Sequence, residues 1–204
     1  MTDIYIVRHG NTFDKGDTVT RVGARTDLPL SISGQVQAGQ LAAHFREIVP
    51  QGFDAAFCSE LQRTRQTAQA ILDAYDARPD LTELEFLREV DYGPDENQPE
   101  DQVIARIGEA ALEAWDRAAT PPPGWDVSPD ELKAEWASLL STLSGPQSSA
   151  PVLIVTSNGI ARFVLDAVIS VQCELGSIKL KTGAYGLIRT EPDGATLLKW
   201  NVRP

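Results

Sequence analysis

The sequence predicts an α/β fold, a three-layer α/β/α sandwich around a mostly parallel central sheet with an antiparallel edge hairpin. Three observations point to it. Short β-branched runs alternate with amphipathic stretches along the whole chain, the pattern of a sheet covered by helices. One of these runs, "APVLIVTSN" (150–158), is apolar without alternation, as a strand buried on both faces is. The chain closes on "GAYGLIRTEPDGATLLKWNV", two strand-like runs joined by Pro192-Asp193-Gly194.

In order, residues 3–8 read as the first strand. "SGQVQAGQLAAHFREIV" (33–49) reads as a helix, with Ser33 as N-cap and Val36, Leu41 and Phe45 near helical spacing. "FDAAFC" (53–58) is a short strand. "SELQRTRQTAQAILDAY" (59–75) is a helix with Ser59 as cap and Gln62 three residues on, a capping-box pattern. Residues 78–98 are mostly irregular, punctuated by Pro79 and Pro94. "EDQVIARIGEAALEAWDRA" (100–118) reads as one amphipathic helix, and 120–129 as a loop. "SPDELKAEWASLLSTL" opens a further helix, with Ser128 capping and Pro129 in its first turn. "GIARFVLDAVIS" is the helix after the buried strand.

The 204 residues suit one domain, 1–204, with one sizeable core. No apolar run approaches the roughly 20 residues of a membrane span, and the N-terminal stretch lacks the basic region of a signal peptide. Two cysteines, Cys58 and Cys173, make neither a disulfide framework nor a metal motif. These features predict a cytoplasmic protein. A formal net charge of −11 repels phosphate backbones and anionic lipid, so nucleic acid and membrane are not expected partners. Any anion site must then be a local cluster of arginines. The sequence leaves the oligomeric state open, a homodimer included.

The expected parallel strands end in chemically loaded turns: Arg8-His9-Gly10, Cys58-Ser59 and Thr156-Ser157-Asn158-Gly159. In open α/β sheets ligands bind beyond the carboxyl ends of the strands, so these turns point to one shared site.

Four spaced stretches carry a resemblance. "RHGNT" ends the first strand. "GARTDLPLSISGQVQA" (23–38) contributes Gly23, Asp27, Pro29, Leu30, Ser31, Gly34, Gln37 and Ala38. "SELQRTRQTA" contributes Ser59, Leu61, Arg63, Gln66, Thr67 and Ala68, and "LREVDYGPDE" (87–96) follows. Together they resemble the histidine phosphatase superfamily, the phosphoglycerate mutase-like proteins. The resemblance implies that His9 is the nucleophile that accepts a phosphoryl group. It implies that Arg8 and Arg63 clamp the phosphoryl oxygens and that Glu89 protonates the leaving alcohol, with Glu96 as the other candidate acid. A neutral imidazole suits the first role because its lone pair is free when the other ring nitrogen is held. A guanidinium suits the second because its planar fork holds two oxygens and stays charged.

The family carries a second histidine in a T-H-[GN]-G-x-x-R context, and this chain reads Thr156-Ser157-Asn158-Gly159-Ile160-Ala161-Arg162. Ser157 therefore stands at that position, with Asn158 beside it, at the N-terminus of the next helix. Arg162 falls at the arginine of the pattern, or pairs with an acid of the fold. Asn11, Lys15 and Arg25 are candidates to meet the substrate. Asp95 stands where many relatives have tryptophan. His44 is expected to be structural, Cys58 a small buried residue and Arg65 solvated.

The implied function is hydrolysis of a small phosphomonoester, with a phosphorylated metabolite or inorganic phosphate as ligand and no metal or other cofactor. The competitors are a catalytically impaired phospho-ligand binder of the same fold, a phosphoglycerate mutase, and a protein phosphohistidine phosphatase. Mutase activity is disfavoured because residues 11–25 depart from the longer mutase motif and the chain is shorter.

Overall fold

The computed structural model describes residues 1–144 and 150–204. Among them, strands β1 (Thr2–Arg8), β2 (Ala55–Cys58), β3 (Leu81–Glu83), β4 (Val152–Thr156), β5 (Ser170–Val171), β6 (Tyr185–Glu191) and β7 (Gly194–Val202) form one sheet in the order β3-β2-β4-β1-β6-β7-β5. β3, β2, β4 and β1 run parallel, and β6 turns antiparallel to β1 and to β7. The expected architecture is borne out. The outermost strand beyond the hairpin, however, is the two-residue β5, which pairs parallel to β7.

Alternation along the central strands builds two cores, because successive side chains point to opposite faces. Ile4, Ile6, Val152 and Ile154 pack on one face with Trp136, Leu140, Phe163 and Trp115. Tyr5, Val7, Leu153 and Val155 pack on the other with Leu41, Phe45, Ala68 and Ile71. The helices are α1 (Ile32–Ile48), α2 (Gln62–Leu72), α3 (Glu100–Ile107), α4 (Glu109–Ala118), α5 (Pro129–Leu143) and the single turn α6 (Asn158–Ala161). α1 and α2 cover the second face, and α5 with the 3₁₀ segment Arg162–Ala167 covers the first.

Several local readings are corrected. The cap of α1 is Ser31, whose hydroxyl accepts from Gly34 N–H at 3.2 Å. Its buried face runs Gly34, Ala38, Leu41, Phe45, and Val36 lies outside it, exposed. α2 begins at Gln62, and the Asp27 carboxylate from a distant loop accepts Gln62 N–H at 2.7 Å. Ser59 is instead bound to the Thr64 hydroxyl. The stretch 100–118 is two helices, because Gly108 takes φ 81°, a left-handed conformation that side-chain-bearing residues avoid. After β4 the helix lasts one turn and continues as 3₁₀, which returns the chain to the sheet edge. There Ile169 N–H donates to the Ala195 carbonyl at 2.8 Å. No helix among the described residues is long and apolar enough to cross a membrane.

Candidate active site

The carboxyl ends of β1 and β4 lie side by side, with Arg8 in register with Thr156. His9 N–H donates to the Thr156 carbonyl at 3.1 Å, tying the two turns together. A cavity of about 550 Å³ opens there, and Arg8, His9, Asn11, Glu89 and Asn158 line its inner part.

His9 is buried, 6% exposed, and its Nδ1 lies 2.7 Å from the Gly10 carbonyl. A carbonyl only accepts, so Nδ1 carries the proton and Nε2 holds the free lone pair in the neutral ring. Burial, then the Arg63 and Arg8 charges, hold the imidazole well below its usual range. The ring is therefore neutral near pH 7. Arg8 shares the cavity wall with His9, whereas Arg63 and Ser157 are outside its lining, and Arg63 acts on the imidazole through its charge.

Arg8 donates from an Nη to the Leu180 carbonyl at 2.9 Å. Arg63, fully buried on α2, donates to the Thr26 carbonyl at 2.8 Å and the Gly23 carbonyl at 3.1 Å. Its Nε is buried with no hydrogen-bond partner. Thr67, one turn further on, links it to the loop of His9: its hydroxyl donates to the Arg63 carbonyl at 2.8 Å and accepts Gly10 N–H at 3.2 Å.

Glu89 is 7% exposed. Its carboxylate accepts from Val90 N–H at 2.9 Å and from Gly159 N–H at 3.3 Å. Glu96, by contrast, accepts from Gly23 N–H, Arg25 N–H, the Thr26 hydroxyl and Tyr92 N–H. It braces a loop and does not line the cavity, so of the two candidate acids only Glu89 stands at the site.

Ser157 is fully buried, and its hydroxyl has no hydrogen-bond partner. Asn158 accepts Leu180 N–H at 2.8 Å through its side chain. Asn11 is fixed by its N–H to Gln37 at 2.8 Å and by its amide to Ser33 at 3.1 Å. Lys15 lies exposed in a turn and Arg25 is bound to Asp91, and neither lines this cavity. Arg25 instead borders a separate hollow of about 730 Å³. Arg162 pairs with carbonyls and not with an acid, donating to Asn158 at 3.2 Å and Trp115 at 2.5 Å while stacking on the Trp115 ring. His44 is bonded to the Tyr185 hydroxyl at 3.0 Å, and burial pushes the Cys58 thiol up to about 12.

The sequence places helices of 100–144 and the loop around Trp125 along the pocket without naming their lining residues, and the outer walls are Arg21, Tyr92, Leu112, Trp115, Asp116 and Lys179. They come from loops and from α4, where no motif or periodicity marks a cavity wall. Among the described residues, no three His, Cys, Asp or Glu side chains gather as a metal site requires.

Comparison with known proteins identifies the family and the fold. The model of the histidine phosphatase superfamily, branch 1, aligns to residues 4–203. A protein of Enterobacter sp. named as a probable phosphoglycerate mutase is 31% identical over 168 residues, covering 79% of this chain and 71% of the relative. A 2,3-bisphosphoglycerate-dependent phosphoglycerate mutase of Rhizobium etli is 30% identical, covering 78% and 76%. Among solved structures, a mycobacterial glucosyl-3-phosphoglycerate phosphatase superposes with a TM-score of 0.78 at 20% identity over the full length of both chains. The alpha-ribazole phosphatase of Shigella flexneri gives 0.74 at 22% identity, covering 99% of this chain and 97% of that one. The chain belongs to the histidine phosphatase superfamily, branch 1.

Proposed function

We propose that the protein is a phosphatase that hydrolyses small phosphomonoesters through a phosphohistidine at His9, without a metal or other cofactor. The observation that carries this reading is the 2.7 Å bond from His9 Nδ1 to the Gly10 carbonyl, which leaves Nε2 nucleophilic in a cavity wall shared with Arg8. Nε2 attacks phosphorus as the ester P–O bond breaks, and Glu89, protonated, gives its proton to the departing alcohol. Glu89, now a carboxylate, then takes a proton from water. The resulting hydroxide attacks phosphorus, the N–P bond breaks and phosphate leaves. Arg8 and Arg63 neutralise the phosphoryl oxygens throughout, since phosphoryl transfer is mostly positioning and charge stabilisation.

Ser157 occupies the position of the family's second histidine, and its unpartnered hydroxyl is the donor left for the phosphoryl group. Replacing a charge-assisted donor with a neutral one lowers the rate by about 10²–10³-fold, by analogy with oxyanion donors. Phosphatase is also the activity named for similar solved structures, one of them in complex with inorganic phosphate. The loss of the second histidine favours one competing reading, a binder that holds phosphate without turnover.

The test uses an aryl phosphate labelled at phosphorus, with alkaline quenching to preserve a phosphoramidate. Wild type is expected to release phosphate and to trap label on protein, and His9→Ala to do neither. If wild type and His9→Ala are equally inert while both bind phosphate, the binder reading stands.

A further inference from the structure

The outer half of the cavity carries two cations, and each already has a carboxylate. Arg21 donates to both oxygens of Glu100 at 2.6 Å, and Lys179 reaches Asp116 at 2.8 Å. All four residues line the cavity. The same wall contributes apolar surface from Leu112, the Trp115 indole and the Tyr92 ring, with the Arg21 guanidinium 5.3 Å over the Tyr92 ring. That wall is rigid. Trp125 stands edge-on behind both rings, at 4.6 Å from Tyr92 and 5.4 Å from Trp115, and Arg162 lies over Trp115 at 4.2 Å.

We infer that, given phosphomonoester binding at the inner end, the site selects esters of uncharged alcohols that carry a ring, and rejects those with a second anionic group. A carboxylate or second phosphate in the outer half would meet Glu100 and Asp116 and compete with them for cations they already neutralise. A ring would lie against preformed apolar surface, losing water without leaving a polar group unpaired. This separates the chain from what its relatives' names suggest, because a phosphoglycerate bears a carboxylate beside its phosphate.

The inference rests on the phosphoryl reading, and affinity tests it apart from turnover. Calorimetry with His9→Ala, and with His9→Asn in case the first folds poorly, would compare three probes: phenyl phosphate, 4-carboxyphenyl phosphate and ethyl phosphate. Phenyl phosphate is expected to bind at least about tenfold tighter than either of the others. In the Glu100→Gln/Asp116→Asn background the ratio of phenyl to carboxyphenyl affinity is expected to shrink to about threefold or less, because both acids that repel the carboxylate are then neutral. Equal affinity for the two aryl esters in the parent protein overturns the inference, as does a ratio that the double substitution leaves unchanged. Tight, ordered binding with no hydrolysis by wild type would instead overturn the catalytic reading and leave this one standing. No binding of any probe or of inorganic phosphate overturns both.

Discussion

Gly159 N–H donates to Glu89 Oε2 at 3.3 Å, so the turn that carries Ser157 and Asn158 also holds the proposed acid. A Cβ at position 159 would fall on Glu89 Oε1, and Val90 Cγ2 would stand only 2.9 Å away. Gly159→Ala is therefore expected to displace the carboxylate. Hydrolysis of an alkyl phosphate should fall by about 10²-fold or more, the scale of general acid catalysis. A nitrophenyl ester, whose leaving group needs no proton, should lose much less. Steady-state rates on the two esters check this, and equal losses would move the damage to the arginine clamp.

Ser157 separates stability from activity. Its hydroxyl is buried with no partner in the free protein, a condition that costs about 1–3 kcal/mol. Ser157→Ala should leave the unfolding midpoint unchanged or raise it, while kcat falls if the hydroxyl serves the phosphoryl group. Ser157→His should raise kcat, provided circular dichroism shows the fold intact. An alanine variant that loses stability and keeps full activity would make Ser157 a packing residue only.

The depressed His9 imidazole has a consequence for acid stability. The unfolded ring titrates near 6.5, and the folded ring well below it. Below about pH 6.5 the unfolded chain binds the extra proton first, so stability falls as pH falls, by about 1.4 kcal/mol per pH unit for one proton. The loss stops once pH passes the folded value. His9→Gln should flatten this slope. Denaturant midpoints at pH 7 and pH 5.5 for both proteins provide the measurement, and parallel slopes would refute the assignment.

What could be read from the chain divides along a physical line. β1 and β4 announce themselves because burial on two faces demands unbroken apolar, β-branched runs, and the closing hairpin through the turn residues Pro192-Asp193-Gly194 between its two strands. The inner site was readable for the same reason: Arg8, His9, Ser157 and Asn158 sit at ends of those strands, where chain order alone fixes their place. The start of α2 was not, because Asp27 caps it from 35 residues away. The outer cavity was readable only as a stretch of helices, 100–144, and not residue by residue. Arg21 and Trp115 meet there only because α4 and the loop before Gly23 fold over the strand ends, a tertiary event with no local period.

Asp95 shows how far that tertiary context reaches. It is 1% exposed and accepts from Arg106 through both carboxylate oxygens and from Trp125 Nε1 at 2.6 Å. Burial alone would raise its pKa, but the Arg106 and Trp125 hydrogen bonds outweigh that and hold it below the ordinary carboxylate range. Asp95→Asn keeps the shape and removes the charge. It should cost about 1–3 kcal/mol, less than breaking a fully buried pair, because Arg106 is partly in water. The sign with pH follows from the direction of the shift. The unfolded carboxylate titrates near 3.9, so the stabilisation is present above that value and is lost as pH falls through the folded one. The gap between wild type and Asp95→Asn should therefore hold above about pH 4 and close as pH falls below it. Trp125 braces the two rings that line the cavity, so loosening it should also weaken phenyl phosphate more than ethyl phosphate. Melting curves across that pH range and a two-ester affinity comparison at pH 7 would test the two effects separately. A variant that loses stability but keeps the preference for the ring would free the aromatic wall from its dependence on Asp95.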